Sequence, residues 1–238
     1  MKEGGEGLVS ASRAAKAVAS SPKYSTGAGS LDELIGGGLR AGRLVEVYGS
    51  SGCGKTQLAM QAALCAAHVG TRALYVDTEG GFRPERIEEI ADARSWDAEV
   101  LLRRIEYVRC DTSAEQTEVV RGIDSRDTTS GCRLVVIDTL TRNFTLDMPG
   151  RSNLASRQGA LDVHLSEIAR DAVLGSRAYL LTNRVTFGQG EDVGIGGRTV
   201  DQLVHSAYRM SRDGSRVRVS TKGGGPGATL DLGRSGLL

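Results

Sequence analysis

An apolar run, "RLVEVYG" (43–49), leads straight into "GSSGCGKT" (Gly49–Thr56), and a helix-forming run, "KTQLAMQAALCAAHVG" (55–70), leads straight out. The octapeptide has the spacing G-x-x-x-x-G-K-[ST], in which glycines let the backbone curl so that successive N–H groups converge on one point. The first turn of the following helix adds N–H groups with no intrahelical partner, and the whole forms a cradle for phosphate oxygens. A chain carrying it must end a buried strand in a tight loop and start a helix at once. Gly49, Ser50, Ser51, Gly52, Cys53, Gly54, Lys55 and Thr56, with Gln57 beside them, are therefore the expected nucleotide-binding residues. Lys55 is expected to reach the β- and γ-phosphates of ATP, and the Thr56 hydroxyl to ligate Mg²⁺.

From Leu31 onward, apolar strand-like runs alternate with helical ones. "RALYVDTEGG", "RIEYVRC", "RLVVIDT" and "AYLLTN" read as short strands, and "RPERIEEIADA" as a helix with Pro in its first turn. A long helix over about 153–172 carries Leu154, Leu161, Leu165 and Ile168 on one face. This alternation predicts an α/β fold: a mostly parallel central sheet with helices on both faces. The last segments, "SAYRMSR", "SRVRVSTK" and "ATLDL", predict an antiparallel extension at one edge. Residues 1–30, rich in Gly, Ala and Ser, read as an arm, and 31–238 as the core. In such sheets ligands sit at the C-terminal ends of strands. Glu79, Asp138, Arg184 and the glycine-rich loop all fall there.

With 238 residues, 39% of them hydrophobic, the chain can bury one large core. No apolar run is long enough to cross a bilayer, and "MKEGGEG" has no signal-peptide core, so no membrane partner is expected. Cys53, Cys65, Cys110 and Cys132 show no CxxC pairing, which argues against a zinc site or a disulfide framework and for a reducing, cytoplasmic setting. His68, His164 and His205 are scattered and read as structural. A net charge of +1 argues neither for nor against a nucleic-acid partner. Aromatics are only 4%, so a single-strand site here would depend on Arg and backbone contacts more than on stacking.

Asp138 closes "RLVVID", a strand ending in a carboxylate, the usual presentation of an acid that binds Mg²⁺ and its waters. Glu79, in "YVDTEGG", is the candidate general base for orienting an attacking water. Asp77 is its rival, because strand alternation puts the two on one face.

"GSSGCGKTQLAMQ" with "YVDTEGGFRPERI" resembles the RecA superfamily and, within it, the archaeal RadA and RadB recombinases and their eukaryotic relatives. The likeness continues through "STGAGSLDELIGGGL", "LVVIDTLT", "GRSNLASRQ", "LLTNRV" and "GIGGRTVDQL", from Ser25 to Leu203. The resemblance implies a RecA-like ATPase core using ATP and Mg²⁺, and binding single-stranded DNA. It gives Glu79 the catalytic-base position and Arg86, in "FRPER", a place stacked on adenine. An exposed Arg86 paired with Glu85 or Glu89 is the alternative. The short length, without an N-terminal helix-hairpin-helix domain, makes RadB the nearer resemblance.

Relatives usually read "TNQ" where this chain has "TNR", so Arg184 replaces a Gln that senses γ-phosphate and couples it to DNA. Arginine is charged and donor-only, whereas a Gln amide both donates and accepts. Arg184 is thus expected to meet γ-phosphate in cis, to turn outward to DNA phosphate, or to form a surface ion pair. "MPGRSNLASRQ" resembles the first DNA-binding loop and nominates Arg151 and Arg157. "VTFGQGEDVGIGG" resembles the second, with Phe187 its one aromatic and Glu191 and Asp192 opposing phosphate. In the arm, Leu8 and Ala11 of "LVSA" stand where relatives carry a subunit-docking F-x-x-A segment. Near the end, Lys222 and Pro226 fall where relatives place a nucleotide cap, but the cap's acidic residues are missing here, and a solvated strand end is the alternative for Lys222.

The reading this supports is a RadB-like DNA repair and recombination ATPase that assists a RadA-type recombinase or associates with itself through the arm. The alternative is an ATP-dependent interaction protein with little hydrolysis or DNA binding. A clock- or signalling-type RecA-fold ATPase fits less well, because "GRSNLASRQ" and "FRPER" usually differ there.

Overall fold

Leu44–Gly49 is buried at all six positions, as a strand must be when it has parallel neighbours on both edges and helices on both faces. The computed structural model describes residues 10–125, 129–188 and 191–238, and it sets this strand inside a nine-stranded sheet. In chain order the strands are β1 (Lys23–Tyr24), β2 (Leu39–Arg40), β3 (Leu44–Gly49), β4 (Arg72–Asp77), β5 (Ile105–Arg109), β6 (Cys132–Asp138) and β7 (Ala178–Asn183). They continue with β8 (Val185–Gly188), β9 (Glu191–Gly194), β10 (Ser206–Asp213), β11 (Arg216–Thr221), β12 (Gly227–Gly233) and β13 (Gly236–Leu237). The helices are α1 (Ala11–Ala19), α2 (Gly29–Leu34), α3 (Lys55–His68), α4 (Pro84–Ala93), α5 (Ala98–Leu102), α6 (Ser113–Arg121), α7 (Arg142–Asp147), α8 (Leu154–Leu174) and α9 (Gly197–Leu203).

The main sheet runs β13-β12-β11-β10-β3-β7-β6-β4-β5. Every pairing from β10 to β5 is parallel, and β10 to β13 pair antiparallel. This is the expected α/β RecA-like architecture, with one refinement. The "SAYRMSR" strand, read as the start of the antiparallel extension, is parallel to β3, so the extension begins only at β11. β8 and β9 form a separate hairpin where the sequence suggested a plain loop.

Strand alternation divides the apolar residues between two cores. Val45, Val47, Tyr75, Val136 and Leu180 pack on the side of α3, with Ile87 and Ile90 of α4. Leu44, Leu74, Val76, Val135, Ile137 and Leu181 pack on the other, with Phe144, Leu161, Leu165 and Ile168. α3 is buried continuously from Leu58 to Ala67, and its many alanines let it lie close to the sheet. α8 buries Leu161, Leu165 and Ile168 as expected, but Leu154 is 46% exposed. Its first turn borders a cavity of about 310 Å³ beside Thr186, Val193 and Ile195 of the β8–β9 region, not the sheet. Among the described residues, no helix is long and apolar enough to cross a membrane.

Residues 20–30, read with the arm, contribute Tyr24, Thr26 and Ala28 to the packed interior. Ahead of them α1 is fastened at its C-terminal end, where Arg40 Nη1 donates to the carbonyls of Val18 and Ala19 at 2.8 and 2.9 Å. A cation at that end also suits the helix dipole.

Gln61, in the middle of α3 and fully buried, joins both ends of the domain. Its Nε2 donates to the Thr26 carbonyl (3.0 Å) and the Leu237 carbonyl (2.9 Å), and its Oε1 accepts from the Leu237 N–H (2.7 Å). Replacing Gln61 with Ala leaves those groups buried and unpaired, so urea unfolding should show a loss of about 3 kcal/mol. An unchanged midpoint would mean that the ends are held by other contacts.

Candidate nucleotide-binding site

Parallel pairing brings the C-terminal ends of β3, β7, β6 and β4 to one edge, and the loop Gly49–Thr56 leaves from the first of them. Gly49 is required by close approach: a Cβ there would stand 2.2 Å from the Met210 carbonyl oxygen of neighbouring β10. Gly54 caps α3 with φ near 104°, a left-handed conformation that glycine adopts without steric cost. Lys55 turns back over the loop, its Nζ donating to the carbonyls of Gly49 and Ser50, each at 2.8 Å. Cys53 Sγ is 3.7 Å from the same nitrogen.

Asp138 ends β6 almost wholly buried. Its carboxylate accepts from Tyr75 Oη at 2.8 Å and from the Thr182 hydroxyl, and it lies close to the Thr56 side chain, both bordering Gly81. Burial pushes this carboxyl above the usual range; the Thr182, Thr56 and Tyr75 hydroxyls around it oppose that shift, and nearby Asp77 adds to it. Thr56 and Asp138 thus present hard oxygen atoms side by side beneath the loop.

Asp77 and Glu79 separate cleanly. Asp77 Oδ1 accepts from the backbone N–H groups of Glu79, Gly80 and Gly81 at 2.9, 2.7 and 3.2 Å, and Oδ2 from that of Phe82 at 3.1 Å. It is fully buried, and its task is to fold the loop that carries Glu79. The same-face expectation fails because β4 ends at Asp77, so Glu79 stands in a turn where alternation no longer holds.

Glu79 meets Arg184. Arg184 Nε donates to Oε1 at 2.8 Å and Nη2 to Oε2 at 2.6 Å, a two-pronged pair occupying both carboxylate oxygens. Burial alone would raise the Glu79 carboxyl. The Arg184 fork, the nearby Thr139 and the charges of Arg184 and Arg142 outweigh it and hold the group below its ordinary value. Of the expectations for Arg184, the ion pair is the one found, and its partner is the candidate base itself. Lys55, Thr56, Gln57, Glu79, Thr139, Arg184 and Arg212 line one cavity of about 280 Å³.

Arg212 is a member the sequence did not announce. It lies on β10 beyond the position paired with Gly49, and its guanidinium donates to the Gly214 carbonyl at 2.7 Å and reaches the Gly52 carbonyl at 3.5 Å. Nothing in "SAYRMSR" says that this strand would lie against the glycine-rich loop. Arg86 is not among the residues lining the cavity. Its guanidinium donates to Gln57 Oε1 (2.8 Å), to Glu89 (2.6 Å) and to the carbonyls of Gly233 (2.7 Å) and Arg234 (3.2 Å), tying α4 to the turn after β12.

Away from the cavity, Arg151 is exposed in the turn before α8. Arg157 is half-buried and donates to the Met148 carbonyl at 2.9 Å, holding that turn to the helix. Phe187 belongs to β8 by its backbone, and its side chain lies outside the described part of the structure. Leu8 lies outside the described residues, and Ala11 is the exposed first residue of α1. Lys222 forms an ion pair with Asp201, and Pro226 is exposed in the turn before β12. His68 stacks on Trp96 with ring centroids 3.8 Å apart. His164 is fully buried against Gln116, and burial holds it neutral with its pKa lowered to about 3. His205 Nδ1 accepts from the Leu44 N–H at 3.1 Å. All four cysteines are buried, and none of them forms a disulfide.

Beneath the β8–β9 hairpin lies a polar network that the sequence did not reveal. Asn183, last residue of β7, donates to Glu46 Oε1 (2.7 Å) and to the Ile195 carbonyl (2.6 Å). It accepts from Thr141 Oγ1 (2.7 Å) and the Arg184 N–H (2.9 Å). Burial pushes Glu46 up to about 7; the Asn183 hydrogen bond and Lys222 oppose the shift, while Asp201 reinforces it.

The geometry defines a phosphate-loop nucleotide-binding protein with an acidic residue on a neighbouring strand and a second carboxylate facing the loop. Within that class the chain belongs to the Rad51 family, whose model matches residues 20–200. It is 36% identical over 169 residues to the DNA repair and recombination protein RadA of Aeropyrum pernix, and 35% over 174 residues to RadA of Ignicoccus hospitalis. It is 38% identical over 173 residues to the meiotic recombination protein DLH1 of Candida albicans. These alignments cover 68, 68 and 69% of this chain and 53% of each relative, so the chain spans about half their length.

The Glu46 shift has a testable sign. Its folded pKa, about 7, lies above an unfolded value near 4.5. The stability it confers is therefore complete below about pH 4.5 and is lost as pH rises through about 7. Chemical unfolding from about pH 5 to pH 8 should cost wild type roughly 3 kcal/mol relative to Glu46→Gln. Parallel profiles for the two proteins would contradict this.

Proposed function

We propose that this chain is a RadB-like DNA repair and recombination ATPase, binding ATP with Mg²⁺ and single-stranded DNA and assisting a RadA-type recombinase. The observation that carries the reading is the convergence of Lys55, Thr56, Glu79 and Arg184 on one cavity, with Asp138 behind Thr56. In it the loop N–H groups and Lys55 hold the triphosphate, whose arrival displaces the Lys55 bonds to Gly49 and Ser50. The donor set fits Mg²⁺: the Thr56 hydroxyl and Asp138 carboxylate are hard oxygens, and this ion usually takes few protein ligands beside waters and phosphates. Bound there, it neutralises charge on the phosphates. Glu79 is the base that orients water once its oxygens are released. Arg86 serves adenine by its flat face, because its N–H groups already hold protein acceptors.

The relatives are described as DNA repair and recombination or meiotic recombination proteins, which supports a role on DNA. The exposed Arg151 and the turn held by Arg157 supply a phosphate contact of the kind that positions a strand. The RadB-like reading, over a full recombinase, rests on Arg184 in place of Gln and on Glu191 and Asp192, which oppose phosphate. Arg184's hold on the base specifically favours slow turnover, the feature shared with the alternative of an ATP-dependent interaction protein.

Gel-shift titration with single-stranded DNA at two salt concentrations, with ATP and Mg²⁺, separates the two. Salt-sensitive binding is expected, and no binding at either concentration would favour the interaction protein. Lys55→Ala should weaken ATP binding by at least about tenfold. Leu8→Glu should reduce self-association or recombinase binding in sedimentation; unchanged assembly would remove the docking role of Leu8 and Ala11.

A further inference from the structure

We infer that Arg184 discriminates ATP from ADP by exchanging partners, leaving the Glu79 carboxylate for the γ-phosphate and thereby releasing the base only when a triphosphate is bound. The inference rests on the ATP-binding reading above and adds to it that Glu79 holds the guanidinium in reserve until a third phosphate takes its place.

A guanidinium fork matches a carboxylate and a phosphate with the same two parallel N–H donors. Glu79 therefore serves Arg184 as an internal substitute for a phosphate. Among the described residues lining the cavity, Arg184 is the one cation already paired with a carboxylate. Lys55 and Arg212 donate to backbone carbonyls instead. The other carboxylates at this edge are committed, Asp77 to four backbone N–H groups and Asp138 to hydroxyls. Glu79 alone has an acceptor pair held by a group that can leave.

Arg184 can move without rebuilding its surroundings. Its side chain is 51% exposed while that of Glu79 is 24% exposed, and its backbone is fixed by Asn183 and by the strand that follows. Exchange thus needs only side-chain rotation within one cavity. A terminal phosphate carries nearly two negative charges against one for a carboxylate, so it outcompetes Glu79. ADP offers no group at that place, and the pair stays closed. Thr139 and Arg142 remain beside Glu79 after exchange.

The test is a binding cycle, read by calorimetry with Mg²⁺ and either ADP or a non-hydrolysable ATP analogue, on wild type, Arg184→Gln, Glu79→Gln and the double variant. Arg184→Gln should lower the preference for the analogue over ADP by about tenfold or more, with ADP affinity preserved. Glu79→Gln should raise that preference several-fold by freeing Arg184, and this gain should disappear in the double variant. Single substitutions that shift the preference in the same direction, or a Glu79→Gln gain that survives without Arg184, would overturn the inference alone. A wild type that binds neither nucleotide would overturn the ATP-binding reading with it. ADP affinity reports that each variant keeps a folded site. Arg184→Lys, which keeps the charge and loses the fork, should fall between wild type and Arg184→Gln.

Discussion

Parallel pairing of β3, β7, β6 and β4 is the constraint on which the site depends. Its register sets Asp77 opposite Asp138 and Tyr48 opposite Asn183, so residues far apart in sequence leave the sheet at the same height. The Gly49–Thr56 loop, Glu79, Asp138 and Arg184 then meet without any of their segments having to reach for the others. A parallel sheet needs helical crossovers on both faces. The alternating cores under α3 and under α8 are the apolar side of that same requirement. The β10–β13 extension widens the sheet beside the loop and brings Arg212 to it.

At this edge three carboxylates with similar intrinsic chemistry acquire different roles from their surroundings. Asp77 is saturated by backbone N–H groups and shapes a turn. Asp138 is buried among hydroxyls and faces Thr56. Glu79 is held by a guanidinium that is itself half in solvent. Hydrogen-bond partners, more than position in the chain, decide which is structural and which is available for chemistry. The Asn183 network adds a fourth carboxyl, Glu46, and links the β8–β9 hairpin to the strand end that bears Arg184.

Much of this was legible in the sequence where short-range pattern decides the outcome. The glycine-rich loop, the strand ending in Asp138 and the apolar stripe of α8 follow from spacing and periodicity. What stayed hidden depends on long-range neighbours. Asp77 and Glu79 could not be told apart, because the strand end between them is set by the Asp77 carboxylate capping the loop. Leu154 read as core since its spacing is right, yet its turn borders the cavity beside the β8–β9 hairpin instead of the main sheet. Arg212 and Glu46 gave no local signal, and Arg184 showed its departure from the family pattern but not its partner. Each needed the sheet order, which no single segment encodes.

The central claim is that the Glu79–Arg184 pair opens for a triphosphate. A crystal structure with Mg²⁺ and a non-hydrolysable ATP analogue measures it directly. The expected result is Arg184 within hydrogen-bond distance of the γ-phosphate, with neither of its nitrogens bonded to Glu79. An intact two-pronged pair beside a bound triphosphate would contradict it.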